Sequence, residues 1–155
     1  MAVVRVQAQA FDTGAELAAM LAGRTDVGGV GCFVGLVRDG AGGQPILSMT
    51  LEHYPGMTER ALEAIAAEAE VRWKLQCCTV IHRYGRLLPG EPIVLVLTAS
   101  PHRQAALDAT AFLIDWLKTR APFWKQEELA SGGAQWVEAR AADAEAATRW
   151  EAAAG

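Results

Sequence analysis

One helix constrains this chain more than any other feature. Residues Arg103 to Leu117 are apolar on most sides, so other elements have to cover the helix they form. Pro122 stops it, because proline has no N–H to donate and restricts the residue before it. Lys118 and Arg120 then fall in the last helical turn, and Lys125 lies just past the break. No carboxylate stands between Lys118 and Lys125. Cations at a helix C-terminus are electrostatically favourable, so a simple C-cap on a core helix is one reading. It leaves Lys125 unexplained, together with the frame of Trp116, Pro122, Phe123 and Trp124 around the charges. An anion held between the helix end and the following segment accounts for both.

With 155 residues, residues 1–155 are expected to form one domain with a substantial core. A net charge of -4 provides no global basic field for nucleic acid, so an anion site has to be local. No apolar run is long enough to span a membrane, and the N-terminus lacks a signal-peptide pattern. Cys32, Cys77 and Cys78 make an odd count without C-x-x-C spacing, which argues against a zinc site and a disulfide framework. Buried free thiols in a reducing cytosol are expected.

Hydrophobic periodicity outlines the rest. Residues 3–9 alternate as a strand, and Thr13-Gly14-Ala15-Glu16 fits a capping box opening a short helix closed by Gly23. Val27 to Arg38 is Gly-rich and apolar, a buried strand whose glycines admit another backbone. Asp39 to Pro45 is a loop. Ile46 to Tyr54 is a strand, and Thr58 can cap a helix from Glu59 to about Lys74. Cys78 to Tyr84 and Ile93 to Ala99 read as strands at hairpin-like spacing, the second central and covered on both faces. The chain after Lys125 is polar up to a loop at Ser131-Gly132-Gly133. A short strand at 135–139 and a helix from Asp143 to Trp150 follow. This order predicts an α+β fold with a mainly antiparallel sheet.

Other candidate residues are fewer. His102-Arg103 opens the long helix, where free N–H groups and the dipole favour an anion, although a cap residue and a solvated cation describe the pair equally well. Arg38 ends a strand. His53 and His82 read mainly as structural. The histidines lack H-x-x-x-H spacing, so no metal is expected. Ser48, Ser100 and Ser131 have no nucleophile-elbow context. The residues alone reach an anion-binding, lysine-bearing pocket at a helix end.

Phe33-Val34-Gly35-x-Val37-Arg38, Leu51-Glu52-His53-Tyr54-Pro55-Gly56-Met57-Thr58-Glu59, Val80-Ile81-His82-Arg83-x-Gly85, Pro89-Gly90-Glu91, Ser100-x-His102-Arg103, Leu117 to Lys125 and Trp136-Val137-Glu138-Ala139-Arg140 occur in that order. Together they resemble the large, catalytic subunit of molybdopterin synthase, the MoaE family. Many motifs in order are far more specific than any one of them.

The resemblance implies an α/β-hammerhead-type fold, which is an α+β arrangement. It also implies a sulfurtransferase, cytoplasmic and without a cofactor of its own. Such an enzyme converts cyclic pyranopterin monophosphate to the dithiolene of molybdopterin. Sulfur comes from the C-terminal Gly-Gly thiocarboxylate of a small ubiquitin-like partner, and a homodimer of the large subunit with two partners makes a heterotetramer. Carried over by position, Lys118 and Lys125 are the catalytic pair. Arg38, His102, Arg103, Gln126 and Glu127 hold substrate beside Leu36 and Val37, with support from Arg120 and Phe33. The pocket lies near the dimer interface, with some groups donated across it. Leu36 departs from the pattern, since many relatives carry a lysine there. Arg120 and Arg103 are expected to favour a neutral lysine. A rival reading is a non-catalytic module that binds the Gly-Gly tail, which would need the basic groove but not both lysines.

Overall fold

The computed structural model describes residues 2–40, 44–137 and 141–152. The described elements run β1 (Ala2–Gln7), α1 (Thr13–Leu21), β2 (Gly29–Leu36), β3 (Ile46–His53), α2 (Met57–Trp73), β4 (Cys77–Arg83), β5 (Gly85–Leu87), β6 (Pro92–Ser100), α3 (Arg103–Arg120), β7 (Phe123–Leu129), β8 (Ala134–Val137) and α4 (Ala141–Ala152). They build two four-stranded sheets, ordered β1-β4-β6-β2 and β5-β3-β7-β8. Among the described pairings β1 with β4 is parallel and the others are antiparallel. The expected α+β class and antiparallel bias hold, with two sheets where the sequence suggested one.

The first sheet is covered on both faces, and strand alternation decides which residues go where. Cys78, Val80 and Val96 pack with Leu62, Ile65 and Ala66 of α2 and with Phe112, Leu113 and Trp116 of α3. Their neighbours Ile81, Leu95 and Leu97 face the other way, against Phe11, Leu17 and Met20 around α1. β6 is thus the central strand that its run of apolar residues predicts. A separate cluster of Val37, Ile46, Leu51 and Leu87 fills the second sheet. No helix among the described residues is long and apolar enough to cross a membrane.

The Gly-rich strand explains how α3 lies so close to the sheet. A Cβ on Gly31 would stand 2.2 Å from Thr110 Oγ1 and 2.6 Å from the Ala106 carbonyl oxygen. The space taken from that side chain holds a buried bond network instead. Thr110 Oγ1 donates to Ala106 O at 2.8 Å, and Thr98 Oγ1 lies 2.9 Å from Thr110 Oγ1. β2 is less buried than expected, and Cys32 is an exposed thiol while Cys77 and Cys78 are buried. Cys32 lies on β2, an edge strand of the first sheet, so it departs from the expectation of three buried thiols.

Several boundaries also move. Asp12, not Thr13, caps α1, its carboxylate accepting from Ala15 N–H at 2.9 Å. α2 begins at Met57 behind Gly56, whose N–H donates to Glu59 Oε2 at 2.6 Å. Thr58 therefore lies inside the first turn and does other work. The largest difference is β7: the polar stretch after Lys125 is a strand between β3 and β8. Its charged residues hid its alternation. Residues 41–43 of the expected loop and 138–139 of the expected strand lie outside the described residues, as does Arg140 of the last motif.

Candidate active site

Two structural breaks put the lysines together. α3 ends at Arg120, Ala121 turns extended at φ -76° and ψ 130°, and β7 starts at Phe123. Lys118 thus projects from the last turn of a helix, and Lys125 from the strand that follows. On β7, Phe123, Lys125 and Glu127 share one face. That face and the end of α3 enclose a cavity of about 450 Å³, large enough for a small organic ligand.

The cavity has two characters. Its lining is part apolar, with Phe33, Leu36, Met49, Ile93, Val94 and Ile114, and part charged, with Arg38 just beyond β2, Lys118, Lys125, Glu127 and Asp143 from α4. Trp124 also lines it, its ring 4.6 Å from Tyr54. A cavity that combines apolar surface with cations suits a ring bearing an anionic group.

Burial, and then the charge on Lys118, lower the pKa of the Lys125 ammonium from the ordinary lysine value, while Asp143 and Glu127 pull the other way. The sequence suggested that Arg120 and Arg103 would exert this pressure. Instead Arg120 folds back over Trp116, 3.4 Å from the ring centroid, and pairs with Glu151 at 3.1 Å. Arg103 lies at the far end of α3.

Lys118, Lys125, Arg38, Leu36, Phe33 and Glu127 therefore line one cavity. Val37 does not: it is 3% exposed in the cluster under the second sheet, because it follows Leu36 and faces the other way. Gln126 is likewise out of phase with Lys125, paired across β7 with Thr50 and Trp136. His102 and Arg103 start α3, and fifteen residues at 1.5 Å each separate Arg103 from Lys118 by roughly 22 Å. Within one chain they do not reach the cavity.

Sequence reasoning missed His82 and Asp143 as cavity residues, whereas Phe123 was already named in the aromatic frame around the charges. His82 was legible in principle, since alternation from Cys78 and Val80 sends it to the α3 side of β4. Asp143 carried no signal, because only the docking of α4 brings it there. That docking is visible in Trp150, whose Nε1–H donates to Asp115 Oδ2 at 2.7 Å and whose ring meets Trp73 and Phe112. Among the described residues no three His, Cys, Asp or Glu side chains gather as a metal site.

Comparison with known proteins agrees with this architecture. The family model described as MoaE protein matches residues 6–120. A molybdopterin synthase catalytic subunit of Pseudomonas aeruginosa is 57% identical over 148 residues, covering 96% of this chain and 98% of the relative. One from Mesorhizobium japonicum is 55% identical over 149 residues, covering 96% and 92%. Among solved structures, the molybdopterin biosynthesis MoaE protein from Burkholderia ambifaria superposes with a TM-score of 0.83 at 48% identity, covering 97% of this chain and 99% of that one.

Proposed function

The chain belongs to the MoaE family, and from that premise we propose how its cavity carries out the chemistry of a molybdopterin synthase catalytic subunit. The reaction moves sulfur from the C-terminal thiocarboxylate of a small ubiquitin-like partner to cyclic pyranopterin monophosphate. Both reactants are anions, so their approach is opposed until cations neutralise it. The observation that carries the proposal is that Lys118 and Lys125, from different elements, line one cavity with Arg38.

Each residue then has a role. Lys118, exposed at the helix end, contacts the thiocarboxylate and stabilises charge as sulfur is transferred. Lys125 has a depressed pKa, which brings it nearer the range in which an amine exchanges protons in acid–base catalysis. Arg38 holds the phosphate by a two-pronged contact. The apolar lining with Phe33 and Leu36 takes the pterin ring. Leu36 fills its place there with a side chain that adds no charge, leaving Arg38 as the cation of the β2 edge. Glu127 opposes the depression of Lys125.

His102 and Arg103 complete the cavity from a second copy of the chain, which presents the start of its own α3. A homodimer with a partner bound at each cavity is the assembly this requires. A cytoplasmic location belongs to the same proposal, supported by the buried free thiols Cys77 and Cys78.

The test is reconstitution. Purified chain, thiocarboxylated partner and cyclic pterin should yield dithiolene product. A mixture that forms the complex yet turns over no substrate would reject the reading.

A further inference from the structure

Asp143 stands among the cations of the cavity, although it comes from the far end of the chain. It belongs to α4 and lines the cavity with Lys118, Lys125 and Arg38. We propose that Asp143 is a positioning residue for sulfur transfer, its carboxylate acting as the counter-charge of Lys125, and that α4 is a latched strap which fixes it there. The proposal rests on the sulfur-transfer reading of the cavity.

The sequence of α4 aims the strap. Asp143, Ala147 and Trp150 follow one another at intervals of four and three residues, so they share one face of the helix. Ala147 is 8% exposed, and its small side chain lets α4 lie close to its neighbours. Trp150 meets Trp73 and Phe112 with ring centroids 5.5 and 5.8 Å away. Once that face is turned inward, Asp143, two turns earlier, is turned inward as well.

Polar contacts lock the same end of the helix. Asp115 Oδ2 accepts from Trp150 Nε1–H and from the Arg149 guanidinium, both at 2.7 Å. Arg72 donates to Trp150 O at 2.5 Å, and Arg120 pairs with Glu151 at 3.1 Å. Asp115 and Arg120 belong to α3. The helix that carries Lys118 therefore also holds the strap.

Asp143 is in the first turn of α4, where the helix dipole favours a carboxylate. That preference does not select the face that reaches the cavity, and on this face the charge has a use. Burial, and then Lys118, lower the pKa of Lys125, while Asp143 is the larger of the two charges that raise it and Glu127 on β7 is the other. Of the remaining lining groups, Arg38 is a further cation, and His82, its pKa lowered by burial to about 4, is uncharged at neutral pH. A carboxylate from α4 thus helps Lys125 keep the proton with which it neutralises an incoming anion.

The chain has three lysines, Lys74, Lys118 and Lys125, so 13Cε titration of the free chain can follow each one. In Asp143→Asn, which keeps the shape, Lys125 should titrate at lower pH than in wild type. Glu145→Gln removes the same charge from an exposed position of the same helix and should leave Lys125 unchanged. In a Trp150→Ala background the strap is unlatched, and Asp143→Asn should no longer shift Lys125, whatever the starting value. Trp150→Phe, which removes only the bond to Asp115, takes its place if Trp150→Ala does not fold, and should reduce the shift in part. The Lys125-dependent limb of the single-turnover pH profile should move to lower pH in Asp143→Asn and stay in place in Glu145→Gln, at equal Tm.

One Lys125 titration shared by wild type and Asp143→Asn, or an equal shift in Glu145→Gln, would overturn the counter-charge. A full Asp143→Asn shift in the unlatched background would overturn the strap. The titrations need no substrate: an inert wild type with the expected lysine shifts would reject sulfur transfer and keep the link between Asp143 and Lys125.

Discussion

The Thr58 hydroxyl donates to the Pro122 carbonyl oxygen at 3.1 Å, and its oxygen accepts from Tyr54 N–H at 3.0 Å. Thr58 is fully buried, so this one side chain ties the start of α2 to the bend that separates Lys118 from Lys125. Thr58→Val keeps the shape and removes the partner of a part-buried donor, Tyr54 N–H, and of a part-buried acceptor, Pro122 O. It should cost about 1–3 kcal/mol of stability in urea unfolding and slow sulfur transfer, since the bend sets the lysine spacing. Thr58→Ser keeps both bonds and should recover most of each loss. A Val variant with the wild-type unfolding midpoint would contradict this account of the bend.

Lys125 should make the protein less stable at neutral pH than it would be without the charge. Burial, then Lys118, depress its folded-state pKa below the unfolded value. Below the depressed pKa both states hold the proton, and the folded state bears the whole cost of the buried ammonium. As pH rises through that value the folded protein releases its proton first, and the unfolded chain then binds more protons. Stability from this group therefore rises until the ordinary lysine range near 10.4 is reached. Lys125→Met should unfold at higher urea than wild type at pH 7, with the gap narrowing toward pH 10, while losing sulfur transfer. This is the trade of stability for activity seen at functional sites.

The close approach of α3 to β2 is as exacting as the bend. Gly31→Ala places a methyl against Thr110 Oγ1 and the Ala106 carbonyl, both buried and hydrogen-bonded. The clash is with backbone on one side and a fixed hydroxyl on the other, so it should cost about 1–3 kcal/mol or more in chemical denaturation. Thr110→Ser leaves the hydroxyl in place and should not rescue Gly31→Ala, whereas Thr110→Ala removes one of three obstacles, the others being Ala106 O and Thr98 Oγ1 at 2.8 Å, and should rescue it in part. No rescue by Thr110→Ala would show that Ala106 O and Thr98 Oγ1 set the limit.

Gly31 was readable from its setting, as were β6 from its unbroken apolar run and the end of α3 from Pro122. These are local signals, in which one residue's own chemistry limits its backbone. β7 was not readable: Lys125, Gln126, Glu127 and Glu128 look like solvated loop until β3 and β8 supply hydrogen-bond partners on both sides. For the same reason Lys118 and Lys125 were legible as a pair flanking a break, and their cavity was not. Its apolar lining comes from β2, β3, β6 and α3, and Asp143 comes from a helix docked by Trp150, so only the tertiary contacts assemble it.

Lys118→Ala and Arg103→Ala together test whether one cavity draws on two chains. Lys118 is exposed, so its truncation should leave stability within about 0.5 kcal/mol of wild type while nearly abolishing sulfur transfer. Arg103→Ala should mainly raise the pterin concentration needed for half-maximal rate. Assayed alone at low pterin, each variant should be poorly active. If Arg103 serves the Lys118 of its neighbour, a mixed dimer has one cavity with both lesions and one with neither. Random reassociation of equal amounts makes half the dimers mixed and restores one site in each, about a quarter of wild-type activity by dimer symmetry. If each cavity used only its own chain, every site would keep one lesion, and mixing would add nothing. The roughly 22 Å along α3 between Arg103 and Lys118 is what makes restoration the expected result.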